Sequence, residues 1–201
     1  MSKTPDGIIL SCKGFSLKKN EKSFFSLINP FGFILFSRNF KSLAQVKKLI
    51  HELKQVSKNP KVLIFIDQEG GRVQRFKNHE FTKFPPQRIF GKIYKNDKKK
   101  AKKLAYYNSR LLSYELKEIG IDANCSPVLD LYFDYGDKII GDRSFSSDPK
   151  TVTSLGKEFC RGHKDSGVIP VIKHFPGHGR AKVDSHKFLP TISTKKKGSL
   201  Q

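Results

Sequence analysis

Apolar residues along this chain come in short runs separated by helical patterns. Residues 7–10 and 31–36 are apolar runs, each short enough for a buried strand. Between them Phe24, Phe25 and Ile28 recur at helical spacing and stop at Asn29-Pro30, because the residue before a proline is pushed out of helical geometry. Ser42 followed by Gln45 reads as a capping box. Leu43, Val46, Ile50, Leu53 and Val56 then share one helix face until Asn59-Pro60. Residues 62–66 are continuously apolar, the pattern of a strand covered on both faces of a parallel sheet. A polar, glycine-containing loop follows at residues 67–76, and Phe84-Pro85-Pro86 predicts irregular backbone. A lysine-rich patch at residues 97–103 runs into a helix. That helix carries Leu104, Tyr107, Leu111 and Glu115 on one line, with Ala105, Leu112, Leu116 and Ile119 alongside. Gly120 stands where a helix-ending glycine belongs. Residues 121–131 read as a strand and its exit, and residues 132–147 as a long loop. Asp148 and Pro149 then cap and open a helix through Val152, Leu155 and Phe159. Residues 168–172 complete the pattern as a fifth strand.

Strands alternating with helices predict an α/β fold with a parallel sheet. Polar clusters recur just after the strands, at Asp67, Asp130 and Lys173. Sites built from loops at strand C-terminal ends belong to the (β/α)8 TIM-type barrel, which is the expected architecture. A doubly wound open sheet is the alternative. No glycine pattern of a nucleotide-binding loop is present.

The 201 residues are expected to form one domain. Apolar content is 37%, below the roughly 45–50% of average domains, which points to an incomplete core. Lys plus Arg is 39 against 18 Asp plus Glu, a net charge of +21. Such a charge raises the question of a nucleic-acid partner. Lysines scattered among polar positions, rather than arginine forks on one face, argue against that partner. The three cysteines, Cys12, Cys125 and Cys160, show no C-x-x-C spacing, which suggests reduced thiols in the cytoplasm. No secretory signal core or membrane-length apolar run is seen.

Three stretches carry candidate chemistry. Asp67 ends an apolar strand and can accept hydrogen bonds from sugar hydroxyls; Glu69-Gly70-Gly71 turns the backbone, and Arg72 and Arg75 are expected to fold back toward the strand mouth. The competing reading is a structural loop held by an Asp–Arg pair. In the long loop, Arg143 can bind an anion or acyl oxygen bidentately, or pair with its neighbour Asp142. In the last, Lys173 and His174 leave the fifth strand, followed by His178, Asp184 and His186. These supply either a metal site of His174, His178, Asp184 and His186, or an Asp184–His186 proton-transfer dyad. Pro176-Gly177 forbids the helix that would bring His174 and His178 together on a metal, so the dyad is favoured. A rigid loop with incidental histidines is the remaining alternative.

Four motifs together resemble one family. Asp67-Gln-Glu-Gly-Gly-Arg-Val-Gln-Arg75, Pro127-Val-Leu-Asp130, Gly141-Asp-Arg-Ser-Phe-Ser-Ser-Asp-Pro149 and Lys173-His-Phe-Pro-Gly-His-Gly179 through Asp184-Ser-His186 are similar to bacterial β-N-acetylhexosaminidases of glycoside hydrolase family 3, the NagZ type. The resemblance implies a (β/α)8 barrel in a cytoplasmic enzyme of peptidoglycan recycling. Such an enzyme removes terminal non-reducing β-linked N-acetylglucosamine from 1,6-anhydro-muropeptides, with retention and without a metal or other cofactor. Its partner is a small-molecule substrate rather than nucleic acid or a membrane, and the full-length protein is expected to be a monomer. Carried over by position, Asp67, Arg75, Arg143, Lys173 and His174 resemble the substrate-binding residues, His186 the acid/base and Asp184 its partner. Most retaining glycosidases use two carboxylates; here a histidine stands for the acid.

The chain also departs from that family. The family's nucleophile is an aspartate after the seventh strand, and no residue here matches it. Asp184 is the last acidic residue. The expected organisation is therefore an incomplete barrel domain at residues 1–194, cut after about five β/α units, with a non-family basic tail at residues 195–201. A truncated or frameshifted reading of a longer gene is the expectation. Strands one and five would then be unpaired edges with exposed apolar faces, and the product poorly soluble with little or no activity. The alternative function is an inactive fragment or a non-catalytic sugar-binding module.

Overall fold

The computed structural model describes residues 5–77 and 79–192. The domain boundary expected at residue 194 and the tail expected at 195–201 lie outside the described residues. Strands β1 (Asp6–Leu10), β2 (Pro30–Leu35), β3 (Leu63–Ile66), β4 (Ala123–Asn124) and β5 (Ile169–Pro170) form one sheet among those residues. Helices α1 (Lys19–Leu27), α2 (Leu43–Val56), α3 (Arg88–Asn96), α4 (Lys98–Glu118) and α5 (Pro149–Asp165) alternate with them. Every adjacent strand pair is parallel and the order is β1-β2-β3-β4-β5. Each strand is added on the same side of the last. That winding is the arc of a (β/α) barrel; a doubly wound sheet reverses direction at a switch point.

The apolar runs of β2 and β3 are the covered strands of the sheet. Phe33, Leu35, Ile64 and Ile66 pack with Val46, Leu49, Ile50 and Leu53 of α2 and Leu112 and Leu116 of α4. A second cluster joins Phe90 of α3 and Ala101 and Ala105 of α4 to Phe145, Val152, Leu155 and Phe159. At the two sheet edges Ile8, Ile9 and Ile169 are exposed, as expected for unpaired outer strands. Ser42 caps α2 by accepting from Gln45 N, 3.3 Å away. The Gln45 side chain does not complete the box; it reaches back one residue further to Lys41 N, at 2.8 Å. Asp148 caps α5 through Lys150 N and Thr151 N.

Four elements differ from the sequence pattern. Helix α3 is additional. It carries Gly91 in its middle, where the backbone lies on the Phe145 carbonyl and an added Cβ would sit 1.7 Å from that oxygen. On α4 the buried face is Ala101, Ala105, Ser109, Leu112, Ser113 and Leu116, while Leu104, Tyr107 and Leu111 are exposed. Close helix approach explains the small residues on that face: Gly162 of α5 lies against Ser109 and the Tyr106 carbonyl, while Leu112 and Leu116 are buried with the sheet's cluster. Strands β4 and β5 are two residues each. Pro127 and Pro170 have no N–H to donate to a ladder, and pairing resumes only as the Val128–Lys173 bridge. Among the described residues no helix is long and apolar enough to cross a membrane.

Candidate active site

Asp67 is the first residue beyond β3, so the strand delivers its carboxylate to the C-terminal end of the sheet. Lys173, on the bridge beyond β5, places Nζ 2.7 Å from Asp67 Oδ1. Arg75 donates from Nη2 to Asp67 Oδ2 at 3.1 Å. Burial alone would raise the Asp67 carboxyl, but Lys173 and Arg75 outweigh it and hold the group below the ordinary carboxylate range. Glu69, two residues on, is only 2% exposed. Its Oε1 meets Lys173 Nζ at 2.5 Å and Arg143 Nη2 at 2.9 Å, and its Oε2 meets Arg143 Nε at 2.9 Å. The result is a layer of two carboxylates and three cations, with Lys173 bridging the two acids.

Arg143 therefore does not pair with Asp142. Burial would lower its pKa, but the two hydrogen bonds it donates to the Glu69 carboxylate raise it instead. Arg143 Nη1 also donates to the Ile139 carbonyl at 3.0 Å. Asp142 turns outward to Arg72, whose Nε lies 2.8 Å away. Arg72 further ties the carbonyls of Lys138 and Ile139. Of the two arginines expected at the strand mouth, only Arg75 reaches it; Arg72 fastens the long loop.

A third carboxylate, Asp130, sits beyond the exit of β4. Asp130 is 3% exposed. Its Oδ2 accepts from His174 N at 3.3 Å and lies 2.5 Å from His174 Nδ1. Its Oδ1 accepts from His178 N at 2.5 Å. Burial raises the Asp130 carboxyl, and the His174 imidazole and these backbone donors lower it further than burial lifts it. With Nδ1–H directed to Asp130, His174 presents Nε2 to the layer, 3.4 Å from Arg143 Nη2. The sequence reading did not single out Asp130 or Glu69 as site residues. The available signal for Asp130 was its place just after a strand, the same place as Asp67.

His178 follows on the same loop, its ring 6.1 Å from that of His174. Neither of its buried ring nitrogens has a partner among the described residues. Gly179 lets this loop lie on the β4 exit, since a Cβ there would come within 1.9 Å of the Leu131 carbonyl oxygen. A cleft of about 550 Å³ opens beside the layer, lined by Asp130, Phe133, Lys173, His174, Phe175 and Arg180.

Asp184 and His186 do meet, with Oδ1 and Nδ1 2.7 Å apart. Asp184 Oδ1 also accepts from His186 N at 2.9 Å, and these His186 contacts hold the Asp184 carboxyl below its ordinary range. The His186 side chain is 76% exposed. Its bonds to Asp184 are local and do not join the Asp67 layer. The histidines considered as metal ligands are thus divided, with His174 on Asp130 and His186 on Asp184. No group of three or more metal-ligating side chains converges among the described residues.

The profile described as Glycosyl hydrolase family 3 N terminal domain matches residues 11–199. A beta-hexosaminidase of Hydrogenovibrio crunogenus is 42% identical over 182 residues, covering 89% of this chain and 49% of its own length. One from Nitrosospira multiformis is 40% identical over 186 residues, covering 91% and 52%. Among solved structures, native NagZ of Neisseria gonorrhoeae superposes with a TM-score of 0.89 at 36% identity, over 98% of this chain and 57% of that one. The same protein has also been solved in complex with N-trifluoroacetyl-D-glucosamine. The chain spans about half the length of the relatives it matches.

Proposed function

The chain belongs to glycosyl hydrolase family 3, and from that premise we propose that its layer of charged groups binds a terminal β-linked N-acetylglucosamine for a β-N-acetylhexosaminidase. The observation that carries this reading is Lys173 held between Asp67 and Glu69, with Arg75 on the free side of Asp67. Fixed carboxylate and ammonium groups side by side suit the adjacent hydroxyls of a pyranose, each of which both donates and accepts. Asp67, Arg75, Arg143, Lys173 and His174 are the proposed sugar-binding residues. The N-acylated glucosamine bound by the gonococcal relative supports the sugar class.

The proposed acid/base is His186. Asp184 on its Nδ1 leaves Nε2 to give and take the proton. In a retaining scheme His186 protonates the glycosidic oxygen as its bond to C1 breaks and a carboxylate bonds to C1. A water, losing its proton to His186, then displaces that carboxylate. No residue of this sequence matches the family's nucleophile, so that step draws on a group outside these 201 residues. The proposed substrate class is the 1,6-anhydro-muropeptides of peptidoglycan recycling, and the proposed compartment is the cytoplasm, where free Cys12, Cys125 and Cys160 stay reduced.

A second reading, sugar binding without turnover, is favoured by the exposure of His186 and its separation from the Asp67 layer. Titration of N-acetylglucosamine into the 201-residue chain, followed by NMR, tests the binding. Asp67→Asn is expected to weaken binding by about tenfold or more, the value of a charge-assisted hydrogen bond. No binding by the unaltered chain would sink the proposal. Turnover of a chromogenic N-acetylglucosaminide separates the two readings: its absence favours binding alone, and its presence overturns the missing nucleophile.

A further inference from the structure

Beneath the charged layer runs a chain of buried polar side chains that the proposed chemistry leaves unused. His163, near the C-terminal end of α5, is 0% exposed. Its Nδ1 lies 2.9 Å from the Phe159 carbonyl oxygen. A carbonyl only accepts, so Nδ1 carries the proton and Nε2 the lone pair. Nε2 is 3.0 Å from Asn124 Nδ2, which donates to it. The Asn124 amide also donates from Nδ2 to the Gln68 carbonyl at 2.8 Å, and its Oδ1 accepts from Gln68 N at 2.9 Å. One side chain thus grips both backbone groups of Gln68, as a neighbouring strand would, just where β4 has stopped pairing. The Gln68 side chain passes the constraint on. Its Oε1 accepts from Arg75 N at 2.7 Å and Phe76 N at 3.2 Å, and its Nε2 donates to the Phe76 carbonyl at 3.2 Å.

Gln68 lies between Asp67 and Glu69, the two acids that hold Lys173. Rotation of its backbone would carry both carboxylates off the ammonium and shift Arg75 with them. Flipping the Asn124 amide would set Oδ1 against the Gln68 carbonyl and the His163 lone pair together. The neutral imidazole therefore fixes which way the clamp faces. We infer that His163 is a positioning residue for the sugar site: acting through Asn124 from behind the sheet, it holds Gln68 and so sets Asp67, Glu69 and Arg75. This deepens the sugar-binding reading and rests on it for its functional meaning.

The test compares His163→Leu and His163→Gln in the full 201-residue chain; the glutamine oxygen can still accept from Asn124. Amide hydrogen exchange at Gln68, Arg75 and Phe76 is read beside Phe33 and Leu35 of β2, together with affinity for N-acetylglucosamine. Loss of one buried hydrogen bond is worth about fivefold to tenfold. His163→Leu should speed exchange by that factor at Gln68, Arg75 and Phe76, leave β2 unchanged, and weaken the sugar by a similar factor. His163→Gln should restore both readouts. Unchanged exchange at Gln68 and Arg75, equal acceleration in β2, or no rescue by glutamine overturns the inference. His163→Met replaces the leucine variant should that chain not fold. If the unaltered chain binds no sugar, the sugar reading fails while the exchange pattern still decides the positioning role.

Discussion

Replacing Glu69 by Gln keeps the size of the side chain and removes its charge, and the structure fixes what that should cost. Glu69 receives two hydrogen bonds from Arg143 and one from Lys173. Lys173 retains Asp67 at 2.7 Å. Arg143 keeps the Ile139 carbonyl at 3.0 Å but loses its carboxylate, with only 8% of the residue exposed. An amide also has to point its N–H at one of the two cations. Removing one partner of a buried ion pair costs about 3–5 kcal/mol, mostly because the other charge is stranded. We predict a loss near the lower end, about 3 kcal/mol, since Lys173 is still paired. Urea denaturation followed by far-UV circular dichroism measures it, as a lower midpoint with an unchanged slope. In a chain of this size the melting temperature should fall by roughly 6–12 °C. A double-mutant cycle with Arg143→Met then isolates the pair, with an expected coupling of at least about 1.5 kcal/mol. A loss below about 1 kcal/mol, or strict additivity in the cycle, would show that Glu69 does not organise the layer and that the bidentate geometry carries no weight.

Other outcomes follow from the same contacts. Burial holds the His163 imidazole down to about 4, against a weaker lift from the Phe159 carbonyl. The unfolded chain therefore takes up a proton near pH 6.5 that the folded chain refuses, and stability falls as pH drops from about 6.5 to about 4. The expected total is roughly 3 kcal/mol, read from urea midpoints across that window, and the difference should vanish in His163→Gln; parallel profiles for the two chains refute it. His186→Ala should leave the urea midpoint where it is, because an exposed pair contributes little. Gly179→Ala should destabilise by about 1–3 kcal/mol, because the Leu131 backbone oxygen cannot move away, and should displace the NMR signals of the His174 and His178 rings. A neutral outcome there would mean that the loop does not lie on the β4 exit.

What the sequence made legible was whatever a few neighbouring residues decide together. The apolar runs and helix caps marked most of the α/β alternation. The Asp184–His186 contact was legible for the same reason: His186 N and Nδ1 both turn onto one carboxylate oxygen within three residues, a local turn of the kind aspartate favours. Arg143 was the opposite case. Adjacent residues in a helical turn do not face each other, and the turn at Gly141–Arg143 sends Asp142 out to Arg72 and Arg143 inward to Glu69, 74 positions away. Which acid meets which base is set by the loops that converge at the end of the sheet. Glu69 and Asp130 therefore looked like a turn residue and a strand exit until the strands were in order. His163 was hidden more deeply. On the sequence it is one polar residue late in an amphipathic helix, and its role exists only because Asn124 stands where β4 ends and reaches both ways. The same logic divides the site. The charged layer at the end of the sheet is over-determined by long-range contacts, whereas the dyad depends on its own loop alone. A substitution in the layer should therefore change stability and sugar affinity together, and one in the dyad should change neither.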